Sequence, residues 1–270
     1  MNKFSLLCYA ALLPVLLWQG CKCDDWSDPD CPNYCADETN PECPNYDPCT
    51  AQTPVSADFR IIENGSWGSM QLFDTVYYDT VRSTNLISEA LYIHDDWTYT
   101  WYIGSETYEG PQRSLDYSNA PKGVPISITL IVEGPPNTAC FPDDDGRDTV
   151  SKQVVFTSEF FFESLFHGYL NGNKDDTVTL GIRANPSNPL LAALYNFKPG
   201  CLQEYWNRAS TSRSLIFNTG SSAKCDRPTG KMVRDPEKTG DFERVRCEYT
   251  LTPPGSAPVP MLFEGRRVKP

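Results

Sequence analysis

The stretch TYTWYIG, residues 98–104, says most about the fold of this chain. Tyr99, Trp101 and Ile103 alternate with two threonines and a tyrosine, so one side of the stretch carries only large, mainly apolar side chains. A period of two residues is typical of a β-strand with one buried face. The stretch therefore predicts a strand that packs on the core of a sheet-based domain.

A second alternating stretch, ISITLIV at residues 126–132, predicts a companion strand. Turn residues such as Asn64-Gly65 and Glu133-Gly134-Pro135-Pro136 separate the short apolar runs around these two stretches. Six or seven short strands with such turns predict a sandwich of two sheets. The predicted strands are residues 58–62, 71–78, 90–93, 98–103, 126–133 and 150–156.

The same two stretches resemble a PKD domain, an immunoglobulin-like sandwich found in surface proteins. TYTWYIG is similar to the central strand of that family, with Trp101 as the core tryptophan and Gly104 as the following glycine. Residues 126–132 are similar to a late strand of the family. The family's usual Gly-Asp-Gly is absent, since Gly104-Ser105-Glu106 stands in its place. The resemblance covers residues 55–157 and implies a spacer or binding module without catalysis.

Residues 158–270 predict a second, small β-rich domain, so the whole chain is expected to be all-β. Its clearest strand is 176–183, where Val178, Leu180 and Ile182 share one face. Residues 190–197, flanked by prolines, predict either a short helix or a buried strand. Residues 220–240 are polar and rich in Lys and Arg, and they predict a long loop. Further predicted strands lie within residues 160–170, 214–217, 244–251 and 259–264.

The first twenty residues predict an export signal. Lys3, the apolar run 4–18 and the small Gly20 before Cys21 are typical of one, and the run is shorter than the roughly 20 residues of a membrane-spanning helix. Gly20-Cys21, followed by Lys22 and acids, resembles the signal of a Bacteroidota-type surface lipoprotein. That resemblance implies lipidation of Cys21 and a position at the cell outer membrane, facing the surface. The alternative is a plain secretory signal, with Cys21 in a disulfide.

Residues 21–54 predict an acidic, cysteine-rich linker, because almost no aliphatic residue is present to build a core. CPNY at 31–34 recurs at 43–46, and the cysteine spacings are wider than those of common metal-binding pairs. We therefore expect disulfides here, as is usual in an oxidising compartment. If Cys21 is lipidated, an odd number of cysteines remains, and two of the last three are expected to pair with each other. The disulfide candidates are Cys23, Cys31, Cys35, Cys43, Cys49, Cys140, Cys201, Cys225 and Cys247.

Charge and motifs exclude several classes of function. The net charge is −12, whereas a nucleic-acid-binding protein needs a basic face. The sequence contains no nucleophile elbow, P-loop, dinucleotide-binding glycine pattern or HExxH motif. His94 and His167 are the only histidines and fall in different predicted domains. We therefore predict no catalytic residue, metal centre or cofactor, although paired carboxylates, whose spacing is spatial, stay open.

Trp67, Trp97 and Tyr108 are the candidate ligand-binding residues. Aromatic rings near loop tips can form a platform for a sugar, and the alternative is that these rings fill the core. Two acidic clusters could bind a metal ion, but each predicts a solvated loop instead. His94, Asp95 and Asp96 are adjacent, and three adjacent residues rarely converge on one ion. Residues 143–148 have a glycine that is misplaced for a calcium-binding loop.

Asp-Thr-Val occurs four times, at residues 74–76, 79–81, 148–150 and 176–178. The tripeptide resembles the acceptor pattern for O-glycosylation of exported Bacteroidota proteins. The alternative is that threonine and valine simply begin strands after an aspartate turn. The sequence favours neither interpretation.

These features together predict a lipid-anchored surface protein that binds without catalysis. Its expected partners are the membrane, through the N-terminal lipid, and a glycan or a surface protein, through the β-domains. The alternative is a purely structural spacer or scaffold subunit of an outer-membrane assembly.

Overall fold

The structure is a computed structural model that describes residues 46–66, 69–188, 191–196, 204–219, 227–253 and 256–268. Within these residues the regular structure consists of seventeen strands and no helix. The described part of the chain accordingly contains no helix with the length and apolar character needed to cross a membrane. The prediction of an all-β fold is confirmed.

The first nine strands form two sheets, ordered β2-β1-β4-β7 and β3-β9-β8-β5-β6. Neighbouring strands are antiparallel, except that β3 runs parallel to β9. The strands are β1 (Phe59–Asn64), β2 (Phe73–Thr75), β3 (Thr80–Val81), β4 (Asn85–Ala90), β5 (Thr98–Ile103), β6 (Glu106–Glu109), β7 (Gln112–Asp116), β8 (Pro125–Glu133) and β9 (Arg147–Phe156).

Trp101 lies at the centre of the core between these two sheets, and its side chain is fully buried. The ring of Phe59, from the other sheet, meets it edge to face with 5.1 Å between centroids. The Trp101 indole Nε1 donates a hydrogen bond of 2.8 Å to the carbonyl oxygen of Gly110. Tyr99 and Ile103 are buried on the same side of β5, as the alternating pattern predicted. The facing sheets therefore form a sandwich.

The last eight strands form a closed antiparallel barrel in which each strand pairs with the next in sequence and β17 pairs back with β10. Eight strands leave an interior just wide enough for side chains to fill. Phe162, Phe166, Phe217 and Phe263 are the largest of the apolar side chains that fill it. The strands are β10 (Ser164–Leu170), β11 (Asn173–Ala184), β12 (Leu191–Tyr195), β13 (Glu204–Ser210), β14 (Ser214–Thr219), β15 (Arg227–Arg234), β16 (Arg244–Thr252) and β17 (Val259–Arg267).

Three sequence-based interpretations need correction or resolution. Residues 91–93 are not a strand, because β4 ends at Ala90 and their side chains are exposed. The predicted loop at 220–240 contains β15, whose apolar inward side chains are too few to alternate visibly. Residues 191–195 form a strand rather than a helix, with Ala192 and Leu194 buried.

The chain divides into two compact units. In the smaller one, residues 46–55 join Pro136–Gly146, a segment that lies within residues 55–157, the predicted first domain. A disulfide links Cys49 to Cys140 there. Asp144 accepts hydrogen bonds from the backbone amides of Asn137, Gly146 and Val55, which lower its pKa although burial opposes them. The sandwich and the barrel both belong to the larger unit.

Glu63 is a buried acid that joins the sandwich to the barrel and is only 1% exposed. Its carboxylate accepts hydrogen bonds from the backbone amides of Arg82 and Ser83, at 2.7 and 2.6 Å. Across the junction it accepts two more from Ser212, in the turn between β13 and β14: 2.8 Å from the amide and 2.7 Å from the hydroxyl. Burial raises the pKa of Glu63, and these hydrogen bonds oppose that rise.

A second contact joins the loop before β3 to the turn between β15 and β16. The Tyr78 hydroxyl donates a hydrogen bond to the carboxylate of Asp235, and its ring packs edge to face on Phe242 at 4.5 Å. Burial of Asp235 opposes its ionisation, but hydrogen bonds from Tyr78, Gly240 and Thr239 outweigh that cost and lower its pKa to about 2. The two β-structures are thus fixed to each other at two buried acids.

Candidate functional site

A row of outward-facing side chains crosses four neighbouring strands of the barrel. Tyr169 on β10 pairs in register with Thr177 on β11 and with Glu264 on β17. Glu264 in turn pairs with Arg246 on β16. Directly opposed residues in an antiparallel sheet have Cβ atoms roughly 4.5–5.5 Å apart. A hydroxyl, an aromatic ring, a carboxylate and a guanidinium therefore stand side by side.

A parallel row lies two residues away along the same strands. His167 pairs in register with Thr179 and with Arg266, and Arg266 pairs with Arg244. The His167 Nδ1 lies 3.1 Å from the Thr179 hydroxyl oxygen, which fixes the plane of the imidazole. The space over the two rows is a groove of about 340 Å³, which we call the barrel groove.

Two glycines, Gly168 on β10 and Gly265 on β17, lie between the two rows and face each other beneath the groove. A Cβ atom on Gly168 would lie 2.1 Å from the carbonyl oxygen of Glu264, and one on Gly265 would lie 2.5 Å from the ring of Phe263. No side chain fits at either distance. A larger residue at either position would therefore force the neighbouring backbone or the Phe263 ring to shift.

The arginines of the barrel groove are held in place by acids at its edge. Arg266 donates two hydrogen bonds to Asp241, at 2.8 and 3.1 Å. Arg244 lies 2.8 Å from Glu237 and Arg246 lies 3.0 Å from Glu248, both measured between nitrogen and carboxylate oxygen. The side chain of Glu264, which is half-buried, makes no hydrogen bond or ion pair with the described residues. Its carboxylate is therefore available to a ligand.

The sandwich displays a different surface, which we call the apolar loop, residues 91–97 between β4 and β5. Leu91, Tyr92 and Ile93 are 52%, 38% and 59% exposed. Single exposed hydrophobic residues are common on protein surfaces, whereas a contiguous group of them is typical of an interaction site.

Hydrogen bonds hold the apolar loop in shape. The Leu91 amide donates to the Asp58 carbonyl at 2.8 Å, at the start of β1. The Tyr99 hydroxyl accepts a hydrogen bond of 2.8 Å from the His94 amide and donates one of 3.3 Å to the Tyr92 carbonyl. A loop fixed in this way loses little conformational entropy when it binds.

Two of the three residues of the predicted aromatic platform, Trp97 and Tyr108, lie in the described part of the chain, and each contacts a neighbour of its own. Trp97 stacks on His94 with 4.2 Å between ring centroids, at the base of the apolar loop. Tyr108, on β6, pairs in register with Trp101 of β5, which follows Trp97 by four residues in the sequence, and it lies under the guanidinium of Arg113. Trp67 lies outside the described residues. The sequence predicts a strand within residues 259–264 but gives no signal for the barrel groove, and it places residues 90–93 in a strand.

The prediction of a disulfide at Cys247 is wrong. Cys247 is a free cysteine that faces inward from β16, where burial raises the pKa of its thiol. It packs in the barrel core as a small apolar residue. Cys49 and Cys140, both disulfide candidates, pair with each other. Cys21, the lipidation candidate, and the candidates Cys23, Cys31, Cys35, Cys43, Cys201 and Cys225 lie outside the described residues.

The acidic clusters and the Asp-Thr-Val tripeptides have structural positions of their own. In the described part of the chain, no three His, Cys, Asp or Glu residues are placed to hold a metal ion. The threonines of all four tripeptides lie in strands, and those at 149 and 177 are exposed. Glycosylation at these two positions stays a prediction.

Comparison with protein-family models, with curated proteins and with solved structures finds no match to this chain.

Proposed function

We propose that this protein is a lipid-anchored surface protein that binds a partner protein through the apolar loop, without catalysis. The observation that carries the proposal is the exposure of Leu91, Tyr92 and Ile93 on a loop held by hydrogen bonds. Burial of one large apolar side chain contributes roughly 1.5–3 kcal/mol. The three side chains are already partly buried, so they contribute less than the full sum, and contacts around the loop must supply the rest of the binding energy.

The chemistry of the loop favours a protein over a sugar as its ligand. Leu91 and Ile93 have no polar atom in their side chains, whereas a sugar needs hydrogen-bond partners for its hydroxyl groups. Asp95 and Asp96, next to them, are exposed and supply a charged rim. An apolar patch with a polar rim is typical of a protein–protein contact.

A second candidate function is that of a structural spacer, which the buried junction at Glu63 favours because it fixes the sandwich to the barrel. A spacer needs no ligand at the loop. Photo-crosslinking separates the two functions.

Benzoylphenylalanine in place of Ile93, in the full chain on its native cells, is expected to give a covalent adduct with one partner protein. The crosslinker forms a bond only with a surface held against it, so a specific contact gives a discrete adduct. Gel shift and mass spectrometry measure the yield. Leu91→Ser with Tyr92→Ser in the same chain is expected to reduce the yield at least fivefold.

The matched control places the same crosslinker at Val259, which is similarly exposed, at 46%, but lies on the barrel. Equal adducts at both positions, or none at 93, would contradict a protein-binding role for the loop and favour the spacer.

Cys21→Ala is expected to abolish incorporation of a labelled fatty acid and to release the protein from the membrane fraction. Several acyl chains anchor stably because each buried methylene contributes about 0.8 kcal/mol. Intact-protein mass spectrometry measures the added mass, with Cys247→Ala as the control that keeps it. An unlabelled wild-type chain would disprove the anchor and leave a secreted protein.

A further inference from the structure

We infer that the barrel groove binds one or two units of a neutral saccharide. This site is on the barrel and is independent of both the apolar loop and the lipid anchor. The inference rests on the chemical types in the two rows, on the carboxylate of Glu264, which has no partner among the described residues, on the balance of charge and on the size of the groove.

The two rows offer the groups that a pyranose ring uses. A pyranose has apolar C–H faces and a rim of hydroxyl groups. Tyr169 and His167, two residues apart on β10, present planar rings on the same side of the barrel. Thr177 lines the groove beside Tyr169 with a hydroxyl group that can donate or accept. Small-molecule sites combine apolar or aromatic surface with a few placed polar groups in this manner.

Glu264 supplies the strongest acceptor in the barrel groove. It lies between Tyr169 and Arg246 in the first row, half-buried and without a protein partner among the described residues. A carboxylate accepts hydrogen bonds from two neighbouring sugar hydroxyls, and charge-assisted hydrogen bonds are about twice as strong as neutral ones. Arg266 and Arg244, held by Asp241 and Glu237, keep further N–H groups directed along fixed lines.

The balance of charge favours a neutral ligand. Each of the three arginines is already paired with an acid, and Glu264 adds one negative charge that no described residue pairs with. A phosphate or a carboxylate would have to displace Asp241, Glu237 or Glu248 and would face Glu264. A cation would meet three guanidinium groups instead. A neutral molecule with many hydroxyl groups avoids both penalties.

The size of the groove limits the ligand to a short saccharide. At about 340 Å³ it lies near the lower end of small-molecule sites, which run from roughly 300 to 1,000 Å³. A neighbouring groove of about 420 Å³ shares Pro236 and Arg246 with it and is not part of the proposed site.

Saturation-transfer NMR on the full chain tests the inference with six probes. Four are neutral: maltose, cellobiose, lactose and N,N′-diacetylchitobiose. The other two are glucuronic acid and glucose 6-phosphate, which carry C–H protons that the method detects and test for an anion site. We expect transfer to at least one neutral disaccharide and to neither anion. Titration calorimetry then measures its Kd.

Tyr169→Ala and Glu264→Gln are each expected to weaken that Kd at least tenfold. Tyr102→Ala and Glu106→Gln are the matched controls, because these residues are exposed on the sandwich, and they are expected to leave it within twofold. Urea unfolding of each variant confirms that it folds. No transfer to any neutral probe, transfer to the anions alone, or binding that survives both groove variants would overturn the inference. Crosslinking at position 93 reports on the apolar loop separately, so either proposal can fail alone.

Discussion

Glu63→Ala is expected to lower the free energy of unfolding by about 3–5 kcal/mol. The carboxylate of Glu63 accepts four hydrogen bonds at the junction between the sandwich and the barrel. Removing it leaves the amides of Arg82, Ser83 and Ser212 without their acceptor in a buried site. Each unsatisfied buried group costs roughly 1–3 kcal/mol, and loss of one partner from a buried charged network costs about 3–5 kcal/mol.

Urea unfolding at neutral pH measures the effect as a shift in midpoint with an unchanged m-value. Glu63→Gln is expected to fall between wild type and Glu63→Ala, because its amide keeps one oxygen acceptor but turns an NH₂ group toward the other donors. Glu106→Ala, at an exposed position in β6, is expected to change stability by less than about 0.5 kcal/mol. A Glu63→Ala variant as stable as Glu106→Ala would show that the junction does not depend on this acid.

Trp101→Ala is expected to destabilise the protein by about 3–5 kcal/mol, or to prevent the sandwich from folding. The side chain is fully buried against Phe59, so its removal opens a large cavity in addition to the lost burial. The Gly110 carbonyl also loses its hydrogen bond from the indole.

Trp101→Phe separates the two contributions, since it keeps a ring beside Phe59 and loses only the hydrogen bond and part of the volume. We expect it to cost about half as much as Trp101→Ala. Tyr102→Ala, the next residue of β5 with an exposed side chain, is the control. Circular dichroism during urea unfolding reports the midpoints. Equal midpoints for Trp101→Ala and Tyr102→Ala would contradict the central position of the tryptophan.

The sequence was informative wherever one strand carries its own pattern. Tyr99, Trp101 and Ile103 alternate cleanly, so both the strand and its buried face could be predicted. β15 could not be predicted, since Pro228 and Gly230 occupy inward positions where the pattern calls for large apolar side chains. Closure of the barrel could not be predicted either, because no local sequence signal specifies that β17 pairs with β10.

The candidate site was harder to predict for the same reason. Tyr169 and Glu264 are nearly a hundred residues apart in sequence and become neighbours only when the barrel closes. Each looks like an ordinary outward-facing strand residue on its own. The apolar loop could not be predicted for a different reason. Leu91, Tyr92 and Ile93 have the composition of buried strand residues, and only the structure shows that they face water.

Closure of the barrel has a consequence for how the chain folds. Phe166 pairs with Arg267, about 100 residues later, so β10 keeps one unpaired edge until β17 has arrived. Pairings over such sequence distances are slow to form, because the intervening chain must be ordered before they contribute. An unpaired strand edge is also a template for association with other chains. The rate-limiting step of folding is therefore expected at this seam, and the nascent protein is most prone to aggregate in the interval before its final strand docks.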